Sequence, residues 1–578
     1  MKKINLKVAL VFGALVLFTN SCKDDFLRVT PNGALDAKVL ATKAGVDALL
    51  IGAYAMIDGV SSNGFGWEAA SSNWVFGSIR GLEANKGTDA GDQPDINPIQ
   101  TYTETATNPY LNVKWRSVYE GISRCNSALT VLAAAEAAGT VTATEADSFR
   151  KQARTLRGVY HFEAWRMWKM IPYVDEKTDQ STLTNEVDVT AKIIADLQEG
   201  TSLPNNMAQV GRFNGTVAKV FLAKAQMQIN KNYAVAKILL QDVISSGTGP
   251  DGHAIGLEPK YGDIFDAGKR NGVESIYTVQ YSVNDGSGGW NGGWGEVLNF
   301  PYKSGGSPGG CCGFFQPSHE FVNSFRTSAG LPLLDFTYNN SPVVNDQGLA
   351  VTAPFTEDTG PLDPRLDWSV GRRGIPYLDW GPHTGQDWIR DQSYAGPYSP
   401  KKQVYKKSQE GKLTEVGNWT SGWTANGYRL IRFADVKLLL AECMIETNDL
   451  TGARTQINDI RNRAANSAGF VKEADGTTNA ANYVINPYPG SGAPFDTQAN
   501  ARVALYMERK LELGMEGHRY FDLQRWGIVQ TELNRVLTYE KTVRSSLYGS
   551  ATVGAQNVNF PIPQNQIDIT QGKLKQNR

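Results

Sequence analysis

Trp290 and Trp294 stand four residues apart in the run Asp285, Gly286, Ser287, Gly288, Gly289, Trp290, Asn291, Gly292, Gly293, Trp294. Indole faces are flat and apolar, so the C–H side of a sugar ring can lie against them. Amide, carboxylate and guanidinium groups nearby then fix the ring's hydroxyls. Glycines on both sides let the backbone approach a ligand closely. An isolated Trp belongs to a core, but two in one Gly-rich loop fit a ligand face equally well. Cys311 and Cys312 are adjacent in a segment rich in Gly and Phe. Either they form a vicinal disulfide, which would stiffen the turn and present sulfur to a ligand, or they are two small buried thiols. Arg373, Tyr377 and Trp380 supply a guanidinium and two ring faces, and the same three residue types suit a core.

Catalytic signals are missing. The five histidines, at 161, 253, 319, 383 and 518, form no His-Glu-x-x-His, and there is no Cys-x-x-Cys, Gly-x-Ser-x-Gly or phosphate loop. Glycosidic hydrolysis needs two carboxylates roughly 5 to 9.5 Å apart, and among 58 acidic residues some pair always looks available. The Glu516, His518, Arg519, Asp522 and Arg525 group imitates an acid–base centre, but charges concentrated on one helix are expected to be paired scaffold residues. His161 and Trp165 likewise read as packing residues. These patterns point to binding without catalysis and to no cofactor. No EF-hand-like Asp/Asn loop marks a metal, and a structural cation stays open.

The elements that position these residues are mainly helical. From Thr144 to Met170, apolar residues Phe149, Ala153, Leu156, Tyr160, Ala164 and Met167 recur at three or four. Ala218, Leu222, Ala225 and Ile229, a turn capped by Asn232, then Tyr233, Ala236, Leu240 and Val243 outline a helical hairpin. Phe433, Val436, Leu440 and Cys443, a turn capped by Asp449, then Leu450, Ala453, Ile457 and Ile460 repeat it, which suits an interrupted tetratricopeptide-like array. Between them, from about Gly247 to Gly427, helical periodicity fades and seven of the 13 tryptophans gather. So aromatic a segment is an ordered, loop-rich lobe. The expected division is 1–21 signal, 22–246 N-terminal scaffold, 247–427 binding insert and 428–578 C-terminal scaffold.

Lys2, Lys3 and Lys7, an apolar run from Val8 to Phe18, then Thr19, Asn20, Ser21 and Cys22 form an export signal too short to span a bilayer. Ser21 before Cys22 fits a loose version of the pattern on which bacteria acylate the cysteine, and several acyl chains anchor a protein stably. The mature chain is long enough to bury a large core. With 57 basic and 58 acidic residues its formal charge is -1, which leaves no electrostatic footprint for nucleic acid. The four cysteines remaining after acylation are too few for a disulfide scaffold.

The run from Glu508 to Gly527 contains Glu516, Gly517, His518, Arg519, Tyr520, Phe521, Asp522, Leu523, Gln524, Arg525 and Trp526, and it resembles the signature of the SusD/RagB family. Four further stretches fit that family's pattern: Asp25, Phe26, Leu27, Thr30 and Pro31; Arg154 to Tyr173; Ile431 to Val436; and Phe560 to Pro563. Lys23, Asp24 and Asp25 resemble the surface-export tag of Bacteroidetes lipoproteins. The resemblance implies a tetratricopeptide-like scaffold with a variable binding lobe, anchored in the outer membrane and facing outward. It also implies a SusC-like TonB-dependent transporter as partner and an oligosaccharide, or more rarely a peptide, as ligand. A purely protein-interacting scaffold is the remaining alternative. Trp74 lies where family members often place a binding aromatic, ahead of the acidic loop Gly87 to Asp92. Where relatives commonly carry paired acids, however, this chain has Leu82, Glu83 and Ala84.

Overall fold

Long helices with explicit caps build the scaffold. The structure is a computed structural model that describes residues 37–60, 66–303, 306–417 and 419–578. The signal, Cys22 and the segment through Pro31 lie outside the described residues. Helix α1 spans Lys43–Ala55, α2 Pro109–Ala137, α3 Ala143–Trp168, α4 Thr190–Glu199, α5 Gly215–Ala225 and α6 Tyr233–Ser246. Asn108 caps α2 with Pro109 at its first position, and Thr142 and Glu145 form a reciprocal capping box on α3. The apolar stripe read in the sequence is the buried face of α3, which packs on α1, α2 and α4.

The two predicted hairpins are present and touch. Asn232 accepts from the Val235 amide at the start of α6, and Asp449 does the same for Gly452 at the start of α8 (Leu450–Ala464), which follows α7 (Phe433–Glu446). Helix α6 packs against α7, so the array interrupted in sequence is continuous in space. Helices α9 (Gln498–Leu513), α10 (Arg519–Trp526) and α11 (Val529–Val543) complete the scaffold.

The chain between the hairpins folds as loops, short 3₁₀ and α-helical turns and strands of two to four residues, as its composition predicts. Its two ends are closed at a neck where Ser275–Thr278 pairs antiparallel with Arg429–Arg432, Ser275 opposite Arg432. Phe314–Pro317 pairs with Ala84–Gly87 from the N-terminal part, Phe314 opposite Gly87. Two sheet contacts thus hold the insert against the scaffold.

A buried ion network joins them more firmly. Glu508, Glu512 and Glu516 recur every four residues, on α9 and just beyond it. Arg365 donates to Glu508 at 2.6 Å and to Glu512 at 3.0 Å, and Arg461 to Glu508 at 3.0 Å. Arg432 reaches Glu512 at 2.6 Å and Glu516 at 2.8 Å, and Lys402 reaches Glu516 at 2.7 Å. Arg463 pairs with Glu512 and Glu274, and Asp363 with Arg365. Five cations meet five carboxylates, all buried, and none is left without an opposite charge. Burial pushes the Glu512 carboxyl up, but Arg463, Arg432 and Arg365 outweigh it and hold it well below the usual range.

Arg432→Met takes one cation from each of Glu274, Glu512 and Glu516, leaving Arg463, Arg365 and Lys402 to compensate three buried carboxylates between them, and should cost about 3–5 kcal/mol of unfolding free energy. Arg150→Met, which breaks an exposed pair with Glu136, should cost less than about 1 kcal/mol. Urea unfolding of the two variants checks the contrast. Because Glu512 and Glu516 both ionise at lower pH folded than unfolded, their stabilisation is complete above about pH 4.3 and drains as pH falls below it. The urea midpoint should therefore drop on acidification through that range.

Candidate functional site

The Gly-rich loop is built to hold its tryptophans. Asp285 accepts hydrogen bonds from the Ser287 amide (2.9 Å) and the Asn291 side chain (2.8 Å), folding the loop onto itself. Gly289 sits at φ +84°, and a Cβ there would lie 2.6 Å from the Trp423 ring, so the position requires glycine on both counts. The Gly289 carbonyl accepts from the Trp294 indole at 2.9 Å. Trp290 stacks on Trp294, with centroids 4.7 Å apart and planes at 21°.

That pair belongs to a larger aromatic cluster. Trp294 lies 5.4 Å from Trp423 and 6.2 Å from Trp67, and Trp419 meets Trp423 edge-on at 5.9 Å. The strand Trp423–Thr424 pairs with Thr414–Glu415, and the Gly293 amide donates to the Thr424 carbonyl. Gly417, Trp419, Gly422 and Trp423 thus repeat the Gly-flanked, four-residue Trp spacing of Trp290 and Trp294, and the two motifs interlock. Of the 13 tryptophans, Trp290 (54% exposed) and Trp419 (42%) are the most exposed; Trp67, Trp165, Trp368, Trp380 and Trp526 are half-buried. Trp294 and Trp423 are buried beneath Trp290 and Trp419.

Cys311 and Cys312 form a vicinal disulfide across a cis peptide bond, Cys312 buried and Cys311 half-buried. Their loop lies beside the Trp419 loop, because the Gly309 carbonyl accepts from the Thr420 hydroxyl (3.0 Å) and the Ser421 amide (3.3 Å). On the other side the Gly313 carbonyl accepts from the Thr88 amide at 2.6 Å. Behind the disulfide loop, Tyr405 donates its hydroxyl to the Ser421 hydroxyl or accepts from it, and accepts from the Gly309 amide.

Three of the expected contact residues take other places. Trp74 is a core residue: it is buried, packs against Phe314 and Phe315, and donates to the Gly295 carbonyl at 2.9 Å. Tyr377 is fully buried with Phe300, Trp388, Val404 and Tyr405, because its hydroxyl finds the Pro400 carbonyl inside. Arg373 spends its guanidinium on the carbonyls of Ala350, Val351 and Ala353 and so orders a loop. Trp380, half-buried, donates to the Tyr405 carbonyl at 3.0 Å and flanks the small core under the disulfide loop. Sequence reasoning passed over Trp419 and Trp423, although their repeated spacing between glycines was a usable signal.

The acidic loop after Trp74 is internally neutralised. Arg390 reaches Asp89 at 2.8 Å and Asp92 at 2.6 Å, while the Lys86 ammonium donates to the carbonyls of Asp89 and Asp92. Burial lowers the Lys86 pKa to about 8, against the opposing pull of Asp89 and Asp92. An ammonium thus sits where backbone oxygens converge, as a bound cation would. No group of three metal-ligating side chains occurs among the described residues. The charged signature residues are paired: Asp522 with Arg509 and Arg525, Arg525 with Glu442, and Arg519 with Glu532. His161 is buried, accepts from the Val174 amide and stacks on Tyr173.

A scaffold of packed helical hairpins that carries one loop-built insert is a fold shared with solved proteins. A SusD superfamily protein from Bacteroides vulgatus superposes with a TM-score of 0.62 at 20% identity, covering 93% of this chain and 98% of that one. The surface glycan-binding protein A of Bacteroides thetaiotaomicron, solved in complex with laminarihexaose, superposes with a TM-score of 0.63 at 20% identity over 93% and 99%. In sequence, residues 273–578 match the SusD family, and residues 25–243 match a family described as starch-binding associating with outer membrane. The chain belongs to the SusD family. SusD-like protein P2 of Formosa agariphila is 24% identical over 90% of both chains, and SusD-like protein P25 of the same organism is 22% identical over 97% and 96%.

A methyl group at Gly417 would collide with the Trp423 ring. Gly417→Ala should therefore tilt Trp423, cost about 1–3 kcal/mol by overpacking, and change the near-ultraviolet circular dichroism of the stacked indoles. An unchanged spectrum at unchanged stability would show that the two loops do not interlock in solution.

Proposed function

We propose that this protein is a lipoprotein of the outer membrane, anchored through Cys22 and facing the cell exterior. It captures an oligo- or polysaccharide on the Trp290–Trp419 face of its insert and passes it to a SusC-like TonB-dependent transporter. The observation that carries this reading is that the two most exposed indoles of the protein both sit on one buried aromatic base, Trp294 and Trp423. A water-exposed indole held flat by a second one is costly for a monomer to leave uncovered and well suited to a sugar ring. The neighbouring Asp285, Asn291 and Glu415 supply acceptors and donors for hydroxyls. The family membership supports the reading, as does the laminarihexaose complex of the Bacteroides thetaiotaomicron relative. The paired state of the signature charges favours binding over hydrolysis, because no carboxylate among them is left to act as a free acid or base. The half-exposed disulfide loop is the proposed flank of the surface, with Cys311 on its outer side.

Affinity electrophoresis of the soluble protein in gels containing plant, fungal or bacterial polysaccharides tests this. Retardation by one glycan should be lost in Trp290→Ala, which removes a central anchor worth about 2 kcal/mol, roughly thirtyfold in affinity. Trp294→Ala should lose affinity too, through loss of the stack, whereas Arg373→Ala should retain it. Retention of full binding by Trp290→Ala and Trp419→Ala together would refute the platform. Failure with every glycan would shift the reading to a peptide ligand.

A further inference from the structure

One buried carboxylate of the insert stands outside the paired network. Trp294, Gly295 and Glu296 form a single 3₁₀ turn at the base of the tryptophan face. Each residue of the turn is held in place. The Trp294 indole donates to the Gly289 carbonyl at 2.9 Å, the Trp74 indole to the Gly295 carbonyl at 2.9 Å, and the Tyr281 hydroxyl faces Glu296 Oε2 at 3.5 Å. Gly295 also fits closely, since a Cβ there would lie 3.0 Å from the Ala70 Cβ. Glu296 itself is 4% exposed, yet among the described residues no lysine or arginine pairs with it.

The groups around Glu296 do not favour its charge. Ser72 and Asp58 face it from the scaffold, Tyr281 from the insert, and Tyr428 from beside the neck. Asp58, half-buried just past α1, accepts from the Val60 amide at 2.7 Å. The cation that acts on Asp58 is Arg124, whose guanidinium already serves Glu120 at 2.5 Å and the Gly52 carbonyl at 2.9 Å. Burial pushes the Glu296 carboxyl up to about 7, and the Ser72 and Tyr281 hydroxyls draw it only part of the way back. Burial pushes Asp58 up to about 7 as well, with the Glu296 charge adding to the effect and the Val60 amide and Arg124 opposing it. Two acids with no counter-charge between them are stable as neutral groups and costly as a pair of anions.

A carboxylate that ionises in this position gains hydration by an outward movement of its turn, and that movement carries Trp294 and the Trp290 ring stacked on it. We propose that Glu296 is a positioning residue for the tryptophan face and makes the order of that face depend on a proton. With Glu296 protonated, the turn stays seated against Tyr281 and the Trp290–Trp294 stack is held. With the proton released to solvent, the turn loosens and ligand capture weakens. The inference deepens the glycan reading of the face and rests on it for the ligand, while the behaviour of the turn stands without it. Trp74 acts in the same device from the scaffold side, through its bond to Gly295. Capture is thereby strongest in a mildly acidic medium and declines as the medium turns alkaline.

Titration of the full soluble protein from about pH 5.5 to about pH 9 at constant ionic strength tests the proposal. The near-ultraviolet circular dichroism of the indoles should change with a midpoint at about 7. Affinity for laminarihexaose, or for whichever polysaccharide of the panel retards the protein, should fall about tenfold across that midpoint. Glu296→Gln, of the same shape and without charge, should keep the acid spectrum and the acid affinity throughout. Tyr281→Phe removes a hydroxyl that favours the carboxylate and should move the midpoint upward, which a packing role alone would not do. Glu540→Gln, which removes another buried carboxyl raised to about 7 but placed on α11, should keep the wild-type midpoint. Because Glu296 holds its proton to higher pH folded than unfolded, its contribution to stability is full below about pH 4.3 and is lost as pH rises to about 7. The urea midpoint of Glu296→Gln should therefore draw ahead of wild type over that interval. A wild-type spectrum that is flat across the range, a Glu296→Gln variant that titrates as wild type does, or an affinity that stays level while the spectrum shifts overturns the proposal. If the spectrum shifts as expected and no glycan is retained at any pH, the glycan reading falls and the proton-linked turn stands. Should Glu296→Gln fail to fold, the direction of the Tyr281→Phe shift decides, and a midpoint unmoved or lowered overturns the assignment to Glu296.

Discussion

The buried network of Glu508, Glu512 and Glu516 with Arg365, Lys402, Arg432, Arg461 and Arg463 is the constraint on which the arrangement of the protein depends. Its members come from α9, the hairpin α7–α8, the neck and the insert. Burying a charge is unfavourable unless its partner arrives in good geometry, so the carboxylates of α9 are satisfied only when all of these segments are in place. Apolar packing tolerates small slips of one element over another. A row of carboxylates spaced four apart, each requiring its own guanidinium, does not. The network therefore sets register between scaffold and insert, and the tryptophan face inherits its position from that register.

The face itself follows the same logic at smaller scale. Trp290 would rotate freely on an isolated loop and lose that freedom in the binding proposed for it. Stacked on Trp294, which is bonded to Gly289 and wedged against Trp423, it loses less, and affinity gains from what need not be ordered. Glycine matters here for contact as well as for conformation, since Gly289 and Gly417 are the places where a side chain would displace Trp423.

The helical scaffold was legible in the sequence because its signals are local. The periodicity of α3, the caps Asn232 and Asp449, and the repeated hairpin all act within a few residues, and the structure shows each. The signature charges were also readable as scaffold, since so many on one helix must be paired. The side of the protein on which a given tryptophan emerges was not local. Trp74 and Trp290 both stand near glycines, and only the packing of Phe314 and Phe315 against one, and of Trp294 beneath the other, separates them. Tyr377 and Arg373 were similarly ambiguous, because the polar atoms of both are satisfied by carbonyls 20 to 23 residues away in sequence. The adjacent cysteines permitted two states, and chemistry along the chain does not choose between them.

The neck between Ser275–Thr278 and Arg429–Arg432 brings the two ends of the insert to neighbouring positions on the scaffold. Whatever lies between those strands leaves and returns through the same doorway, so its length and composition can change without altering the path of the helices. A lineage can then rewrite the insert by insertion, deletion or exchange of loops while inheriting the frame intact. The cost of such novelty falls on the few charged side chains that reach across, which marks Glu320, Arg365 and Lys402 among the residues a transplanted insert would have to bring with it.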